Sequence, residues 1–290
     1  METMDIEVPA RGMRFGALSW GAEDRERPLA LLIHGFPDTA RTWRYLGPRL
    51  AEEGYRAVAP FTRGYGPSSL APDDSYRVSD QGEDVLAIKD ALGGDERAVL
   101  VGHDWGAVAA WWVTSVEPAA FAHYVAMSVP PPGAITGPVT RLRGLPTAMR
   151  QLRMSWYFLF NQVPGTEKAL TWLIPKLWRD WSPGYDANQD LPWVFGSLDT
   201  KARRRAALRY YRNTLTTGIG ELVEMEPAAP VLYLHGMTDG CAQVRLGRDY
   251  ADQLPEGSRF TAVPGVGHFL QLEDPEVVNE LIIGWLGRPG

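Results

Sequence analysis

Short apolar runs recur along this chain and alternate with stretches in which apolar residues return every three or four positions. Seven of these runs have the length and composition of β-strands. They lie at residues 13–20, 29–35, 56–60, 97–103, 123–129, 230–236 and 259–265. The runs at 98–102 and 231–234 are almost entirely apolar, which is typical of strands buried on both faces. The pattern predicts an α/β fold in which helices flank a mostly parallel sheet.

Helical periodicity fills the gaps between these strands. The predicted helices span residues 39–53, 79–92, 106–117, 243–254 and 275–287. A helix that follows a strand and leads to the next one is the connection that a parallel sheet requires. These helices therefore fit the predicted sheet.

The alternation of strands and helices stops after the PPPGA segment at 130–134. No strand pattern appears from about 135 to 225, where the stretches at 139–153 and 200–213 have helical character. A strand-like apolar pattern resumes with PVLYLHG at 230–236. We therefore predict a first part of the core at 1–134, an all-helical cap at 135–225 and a second part of the core at 226–290.

Charge and cysteine content narrow the possible functions. The net charge of the 290 residues is −6, which argues against a nucleic-acid-binding protein because such a protein needs a basic face. The single cysteine, Cys241, excludes an internal disulfide framework and a cysteine-rich metal site. The N-terminal residues lack the apolar segment of a secretory signal, and no run of roughly 18 apolar residues could span a membrane. We expect a cytoplasmic protein, either a monomer or a homodimer.

The segment VGHDWGAV places Asp104 between two glycines, Gly102 and Gly106, after an apolar strand and before a helical pattern. A strand, a tight turn and a helix in this order are the setting of a nucleophile elbow, in which the central residue is exposed to the substrate. The alternative is that Asp104 only caps the following helix. We interpret Asp104 as the nucleophile.

An aspartate in this turn indicates which reaction is catalysed. A serine that attacks a saturated carbon would form an ether, which water cannot open by the same route. A carboxylate that attacks the same carbon forms an ester, and water can then attack the ester carbonyl with help from a base. Asp104 thus predicts displacement at a saturated carbon, as in epoxide opening or haloalkane dehalogenation.

His268 and Asp239 are the predicted partners of this nucleophile. His268 lies in the Gly-rich loop after the last predicted strand, where a loop can bring a base to the carboxyl edge of the sheet. Asp239 follows the strand at 230–236 and would orient the imidazole, although a turn-forming role before Gly240 is the alternative. The chain order of nucleophile, acid and histidine is that of the α/β-hydrolase triad.

The segment HGFPD at 34–38 follows another predicted strand. The amide of Phe36, together with that of Trp105 after the nucleophile, is predicted to form the oxyanion hole. An X–Pro bond makes a cis peptide accessible at Pro37. His34 and Pro37 of this loop are predicted to contact the substrate.

These segments together resemble the α/β-hydrolase-fold epoxide hydrolases over nearly the whole chain. The matching segments are HGFPD, RGYGPSS at 63–69, GHDWG, YFLFNQVPG at 157–165, RYYRN at 209–213 and GVGHFLQLEDP at 265–275. The resemblance implies that Tyr157 and Tyr211 are the two active-site tyrosines of the cap, with Tyr211 a better match than Tyr210. The chain departs from the family pattern at Asn161, where an aromatic residue is usual, and in the LHGMTDGC surroundings of Asp239.

A chemical argument, independent of the resemblance, also supports a catalytic role for the two tyrosines. Opening an epoxide produces an alkoxide, which is about as basic as hydroxide, whereas a phenol with a pKa of about 10 can donate a strong hydrogen bond or its proton. Halide is a weak base and needs only weak N–H donors. The tyrosine pair therefore favours an epoxide hydrolase over a haloalkane dehalogenase, while packing within the cap remains the alternative for both residues.

The expected reaction converts a small apolar epoxide and water to a vicinal diol. No metal ion or organic cofactor is expected. Trp156, Trp172 and Trp178 are predicted to line an apolar pocket in the cap, with a place in the core as the alternative. Two other functions remain open, a haloalkane dehalogenase and a ligand-binding protein without catalytic activity on the same fold.

Overall fold

The computed structural model describes residues 2–21, 24–136, 145–216 and 219–287. Within these residues, eight strands form one sheet in the order β1-β2-β4-β3-β5-β6-β7-β8. β2 pairs antiparallel with both β1 and β4, and the strands from β4 to β8 are parallel. The strands are β1 Met4–Ala10, β2 Met13–Trp20, β3 Leu29–Ile33, β4 Arg56–Pro60, β5 Val99–His103, β6 His123–Met127, β7 Val231–Gly236 and β8 Arg259–Val263.

All seven predicted strands are present, and β1 is the strand that the sequence did not predict. Each residue of β3, β4, β5 and β7 is buried, which explains their continuous apolar patterns. β1 instead lies at the edge of the sheet, and most of its side chains are exposed or only partly buried. Its sequence MDIEVPA therefore lacks the apolar run that marks the central strands.

The five predicted helices are present, although those at 39–53 and 243–254 each combine an α-helix with a 3₁₀ turn. The predicted helix at 39–53 consists of a 3₁₀ turn at Ala40–Trp43 and a helix that begins at Leu46. Proline lacks an N–H group and is best tolerated in the first turn of a helix, so a helix that begins at Leu46 accommodates Pro48 better than one that begins at residue 39. The α-helices of the described residues are α1 Leu46–Glu52, α2 Val78–Ala91, α3 Trp105–Val116, α4 Pro132–Thr136, α5 Leu145–Met154, α6 Trp156–Phe160, α7 Leu170–Trp181, α8 Asp190–Ser197, α9 Lys201–Thr216, α10 Ile219–Glu224, α11 Val244–Tyr250, α12 Leu270–Glu273 and α13 Pro275–Leu286. Further 3₁₀ turns lie at Thr166–Lys168 and Ala251–Gln253.

Helices α4 to α10 lie between β6 and β7 in the chain, although these two strands are neighbours in the sheet. The insertion contacts the core through several polar groups. Arg44 pairs with Asp190 at 2.7 Å, and the Trp178 indole donates to the Pro37 carbonyl at 2.9 Å. Of the helical stretch predicted at 139–153, residues 139–144 lie outside the described residues, and α5 covers the remainder. None of the described helices is long and apolar enough to cross a membrane.

The parallel strands bring separate parts of the chain to one edge of the sheet. β3 leads into the His34 loop, β5 leads to Asp104, β7 to Asp239 and β8 to the loop of His268. The carboxyl ends of parallel strands meet at the same edge, which is where ligands bind in open α/β sheets. This topology concentrates the predicted reactive residues in one place.

Candidate active site

Asp104 occupies a tight turn between β5 and α3 with φ 54° and ψ −116°. A non-glycine residue rarely adopts a positive φ, and such strain is typical of functional turns. A Cβ atom on Gly102 would lie under 3.0 Å from the Gly106 carbonyl, and one on Gly106 under 3.0 Å from the Ile33 carbonyl. The turn therefore needs glycine at both positions.

The Asp104 side chain does not cap the helix that follows it, as far as the described residues show. Its Oδ1 atom instead accepts a hydrogen bond from the Phe36 amide at 2.7 Å. Its Oδ2 atom lies 3.5 Å from Nε2 of His268. The carboxylate is thus held at one oxygen and faces the imidazole with the other.

His268 and Asp239 form the second part of the site. Nδ1 of His268 lies 3.0 Å from Oδ2 of Asp239, and both side chains are buried. The other Asp239 oxygen accepts from the amides of Cys241 at 2.6 Å and Ala242 at 3.0 Å. These bonds fix the carboxylate, which in turn orients the imidazole with Nε2 toward Asp104.

The charges of this cluster favour an imidazolium between two carboxylates. Burial alone would oppose a charge on His268, but Asp239 and Asp104 outweigh it and raise the pKa of His268 from 6.5 to about 10. Burial likewise opposes the Asp239 carboxylate, yet the charge of His268 and hydrogen bonds from His235 and His268 bring its pKa well below the usual range. The free site therefore holds a protonated His268 at neutral pH.

The backbone around His268 is held by residues that the sequence analysis did not identify. The His268 carbonyl accepts from Nε2 of His103 at 2.9 Å and from the Ser128 hydroxyl at 2.6 Å. Burial and the neighbouring His268 lower the pKa of His103 to about 3, so His103 is neutral. The His268 amide donates to the carbonyl of Trp181, at the end of α7, at 3.0 Å. Residues at the ends of the central strands and a residue of the inserted helix α7 thus both position the histidine loop.

Tyr157 and Tyr211 pack against each other with their ring centroids 5.7 Å apart, and both phenols interact electrostatically with Asp104. The Tyr211 ring contacts those of Phe36 and Trp105, each at 5.2 Å. Its hydroxyl donates to no acceptor among the described residues, and the Trp105 side chain faces its oxygen. The Tyr157 hydroxyl lies 3.2 Å from the Cys241 sulfur. Burial raises the pKa of both phenols well above 10, so both keep their protons.

Tyr210 differs clearly from its neighbour Tyr211. Its hydroxyl donates to the Arg63 carbonyl at 2.8 Å, so its proton is already used within the fold. The choice of Tyr211 over Tyr210 stays a prediction, and the two tyrosines differ in that only the Tyr210 hydroxyl donates to a backbone carbonyl.

The HGFPD loop brings the Phe36 amide to Asp104. The Phe36–Pro37 peptide is cis, as the sequence allowed. A Cβ atom on Gly35 would collide with Asp104 Oδ1 and the Trp105 amide, so glycine permits the close approach of the two amides. The ring of His34 is occupied at both nitrogens, since Nε2 accepts from the Thr62 amide at 3.0 Å and Nδ1 contacts the Gly35 carbonyl at 2.9 Å. This ring therefore stabilises the loop through hydrogen bonds to the backbone.

The predicted pocket tryptophans lie in three different environments. Trp172 is 57 % exposed, a position that does not fit the pocket-lining role predicted for it. Trp156 is partly buried and packs against Phe160 and Lys176. Trp178 is buried, and its ring stacks on Phe269 at 3.6 Å.

Trp181, in the inserted helix α7, also reaches the reactive centre. Its ring lies 4.9 Å from those of both Tyr157 and His268. The number of tryptophans between β6 and β7 does not indicate which of them faces His268, because that depends on the packing of α7 against the histidine loop.

A model of the alpha/beta hydrolase fold family matches residues 28–275, which is most of the chain. The chain belongs to the α/β-hydrolase family. The eight-stranded order within the described residues and the reactive groups at the carboxyl edge are consistent with that assignment.

Other members of the α/β-hydrolase family resemble this chain over most of its length. Epoxide hydrolase 1 of Caenorhabditis elegans is 26% identical over 97% of this chain and 70% of its own. Epoxide hydrolase B of Mycobacterium tuberculosis is 38% identical over 62% of this chain and 46% of its own. The crystal structure of epoxide hydrolase VrEH1 from Vigna radiata superposes with a TM-score of 0.80 at 26% identity and covers 98% of both chains. The resemblance to α/β-hydrolase-fold epoxide hydrolases is thereby confirmed.

Proposed function

We propose that this α/β hydrolase is an epoxide hydrolase that forms a covalent ester on Asp104. The observation that carries the proposal is that the Asp104 carboxylate faces the His268 imidazole and is close enough to the Tyr157 and Tyr211 phenols to interact with both electrostatically. Oδ2 of Asp104 lies 3.5 Å from His268 Nε2, and the Tyr211 hydroxyl donates to no acceptor among the described residues. Relatives named epoxide hydrolases support the same reaction. The substrates are a small apolar epoxide and water.

In the first step, Asp104 attacks the less hindered ring carbon of the epoxide. The carbon–oxygen bond of the ring breaks, and its electron pair takes a proton from Tyr157 or Tyr211. This donation is needed because an unprotonated alkoxide is a poor leaving group. The product of the step is a hydroxyalkyl ester on Asp104 and a tyrosinate.

In the second step, His268 acts as the base. Ester formation removes the negative charge of Asp104, which lowers the affinity of His268 for its proton, and that proton returns to the tyrosinate. Neutral His268, oriented by Asp239, then deprotonates a water molecule that attacks the ester carbonyl. The amides of Phe36 and Trp105 stabilise the oxyanion. Collapse transfers a proton from His268 to the departing alkoxide, and the diol leaves. The carboxylic acid left on Asp104 then returns its proton to His268, which restores the carboxylate and the imidazolium of the free site.

With this mechanism we propose that residues 135–225 are the cap and that 1–134 and 226–290 are the two parts of the core. The cap supplies both tyrosines, whereas the core supplies the nucleophile, the base and the orienting acid. The support for this division is that helices α4 to α10 separate two strands that pair directly. Location in the cytoplasm remains a prediction from the sequence.

The proposal is tested by incubating the enzyme with a panel of aryl and alkyl epoxides and, separately, with haloalkanes. Diol formation is expected, without halide release. Halide release without diol would identify a haloalkane dehalogenase, and neither product across the panel would favour a ligand-binding protein.

The covalent step has a test of its own. The His268→Gln variant should accumulate an ester on Asp104 with a substrate that the wild type hydrolyses, because only the second step needs the base. Mass spectrometry of the intact protein detects the added mass, and peptide mapping assigns it. Absence of the adduct would contradict the covalent mechanism even if the diol were formed by the wild type.

A further inference from the structure

Cys241 is a buried thiol that the proposed reaction does not use, and it lies at the reactive centre. One ligand atom from each of Asp104, Cys241 and His268 lies within 4.8 Å of the others, and all three residues are buried. We propose that these three side chains bind one thiophilic divalent cation, such as Zn²⁺ or Cd²⁺, and that the bound cation inhibits the enzyme.

The spacing of the ligand atoms suits such an ion. Metal–ligand bonds of about 2.0–2.3 Å in a tetrahedral zinc site place the ligand atoms roughly 3.3–3.7 Å apart. Oδ2 of Asp104 and Nε2 of His268 already have this spacing, at 3.5 Å. The thiol reaches the same spacing with a shift of about an ångström, which a rotation of its side chain provides.

The two non-sulfur ligands are oriented by bonds at their other atoms. Nδ1 of His268 is held by Asp239 at 3.0 Å, and Oδ1 of Asp104 by the Phe36 amide at 2.7 Å. Nε2 of His268 has no hydrogen-bond partner among the described residues. A carboxylate behind a ligating histidine is the usual arrangement at metal sites, since it fixes the ring and increases its basicity.

The loop that positions the orienting acid also positions the thiol. Asp239 accepts from the Cys241 amide at 2.6 Å, and the Cys241 sulfur lies 3.2 Å from the Tyr157 hydroxyl. A ligand set of thiolate, imidazole and carboxylate selects zinc and softer ions. Mg²⁺ prefers an octahedron of oxygen ligands, so this site discriminates against it.

A cation bound here blocks the chemistry directly. Binding displaces the Nε2 proton of His268 and the thiol proton of Cys241 to solvent. The cation then occupies Nε2 and the free oxygen of Asp104, which the proposed reaction needs as base and nucleophile. Inhibition is therefore expected to be competitive with the epoxide. The binding of the ion does not depend on the proposed function, whereas the inhibition rests on it.

The test uses the fact that Cys241 is the single cysteine of the chain. Any thiolate-to-metal signal therefore comes from this site. Titration of the full-length protein with Cd²⁺ should produce the ultraviolet thiolate-to-cadmium charge-transfer band, saturating at one ion per chain. No substrate is needed, so this measurement is independent of the identity of the reaction.

Variants then separate the three-ligand site from a thiol that binds alone. Asp104→Asn and His268→Gln keep the thiol and should weaken the cadmium affinity at least ~10-fold each, as loss of metal-site residues does. His123→Gln changes a histidine at the opposite end of the sheet and should leave the band and the affinity unchanged. Unchanged affinity in both Asp104→Asn and His268→Gln would overturn the proposal, as would the absence of a band in the wild type.

Inhibition gives the second measurement. The concentration of Zn²⁺ that halves diol formation should rise at least ~10-fold in Cys241→Ser and Cys241→Ala, each compared with its own metal-free rate. Mg²⁺ at the same concentrations should not inhibit the wild type. An inhibitory concentration that is the same in the wild type and in a folded Cys241 variant would place the inhibitory ion elsewhere and refute the proposal.

Discussion

Replacing Asp239 with asparagine separates the two chemical steps. In the wild type, the Asp239 carboxylate accepts from the amides of Cys241 and Ala242 through Oδ1 and from His268 Nδ1 through Oδ2. An asparagine has one carbonyl oxygen, which can keep the two backbone donors. Its amide nitrogen then faces Nδ1 of His268, and a donor in that position favours the tautomer that carries the proton on Nε2. Nε2 can no longer take a proton from water.

The expected magnitude follows from this loss of the base. In hydrolase triads the same carboxylate-to-amide change slows turnover roughly 10⁴-fold because the histidine adopts the wrong tautomer. A factor of this size corresponds to roughly 5 kcal/mol of activation free energy. Attack by Asp104 on the epoxide does not require His268 as a base. The substitution removes one negative charge near this first step but no group that takes part in it, so the ester should form at a rate within about tenfold of the wild-type rate. The ester should then persist.

The assay is a rapid-quench single turnover of Asp239→Asn, in which intact-protein mass spectrometry follows the ester and chromatography follows the diol. Asp249→Asn is the matched control. Asp249 lies in α11, the helix that follows the Asp239 loop, and it is exposed and pairs only with Arg245 among the described residues. It should behave as the wild type in both steps. Diol release at the wild-type rate from Asp239→Asn, or loss of activity without any ester, would refute the role assigned to Asp239.

Three further predictions follow from the geometry. Tyr211→Phe should slow ester formation in single turnovers roughly 10²-fold, because a proton donor is lost, whereas Tyr210→Phe, which removes a hydroxyl bonded within the fold, should leave that rate nearly unchanged. The free energy of unfolding of the wild type, relative to that of His268→Gln, should fall as the pH rises from about 6.5 to about 10. The reason is that only the native state keeps His268 protonated across that window. Urea unfolding of both proteins measures this difference, and a difference that stays constant with pH would contradict the prediction. Gly106→Ala should destabilise the fold by roughly 1–3 kcal/mol, since its new Cβ would collide with the carbonyl of Ile33 at the end of β3. Gly284→Ala, in α13 with nothing within 4 Å, should be neutral or slightly stabilising, and equal effects of the two in thermal unfolding would be inconsistent with the packing of the turn.

The sheet was predictable where both faces of a strand are buried. The runs that became β5 and β7 are almost entirely apolar up to a histidine near the end of each strand, because every residue of both strands is buried. β1 has no such run, since an edge strand keeps polar side chains that face solvent. Its pairing with β2 depends on register across the turn at Arg11 and Gly12, both at positive φ, rather than on hydrophobicity.

The placement of Asp104, Asp239 and His268 at one edge of the sheet followed from topology. Each of these residues comes after a parallel strand, so their convergence needs only the strand order and no knowledge of side-chain packing. The contacts of Ser128 and Trp181 with the His268 backbone could not be predicted in this way. Ser128 and His268 are 140 residues apart in the chain, and a serine that donates to a distant carbonyl has no local sequence signature.

Electrostatics gives the proposed reaction a fixed order. Before the substrate binds, two carboxylates share one imidazolium, which raises the pKa of His268 to about 10 and makes it a poor base at neutral pH. That proton does not impede Asp104, because a carboxylate needs no base for its own attack. The ester cancels one of the two negative charges within 4 Å of the ring, so the imidazole becomes available only after the nucleophile has been used. Premature activation of water beside a free carboxylate is thereby disfavoured, and the same residue that selects a saturated carbon as the target also controls when hydrolysis can begin.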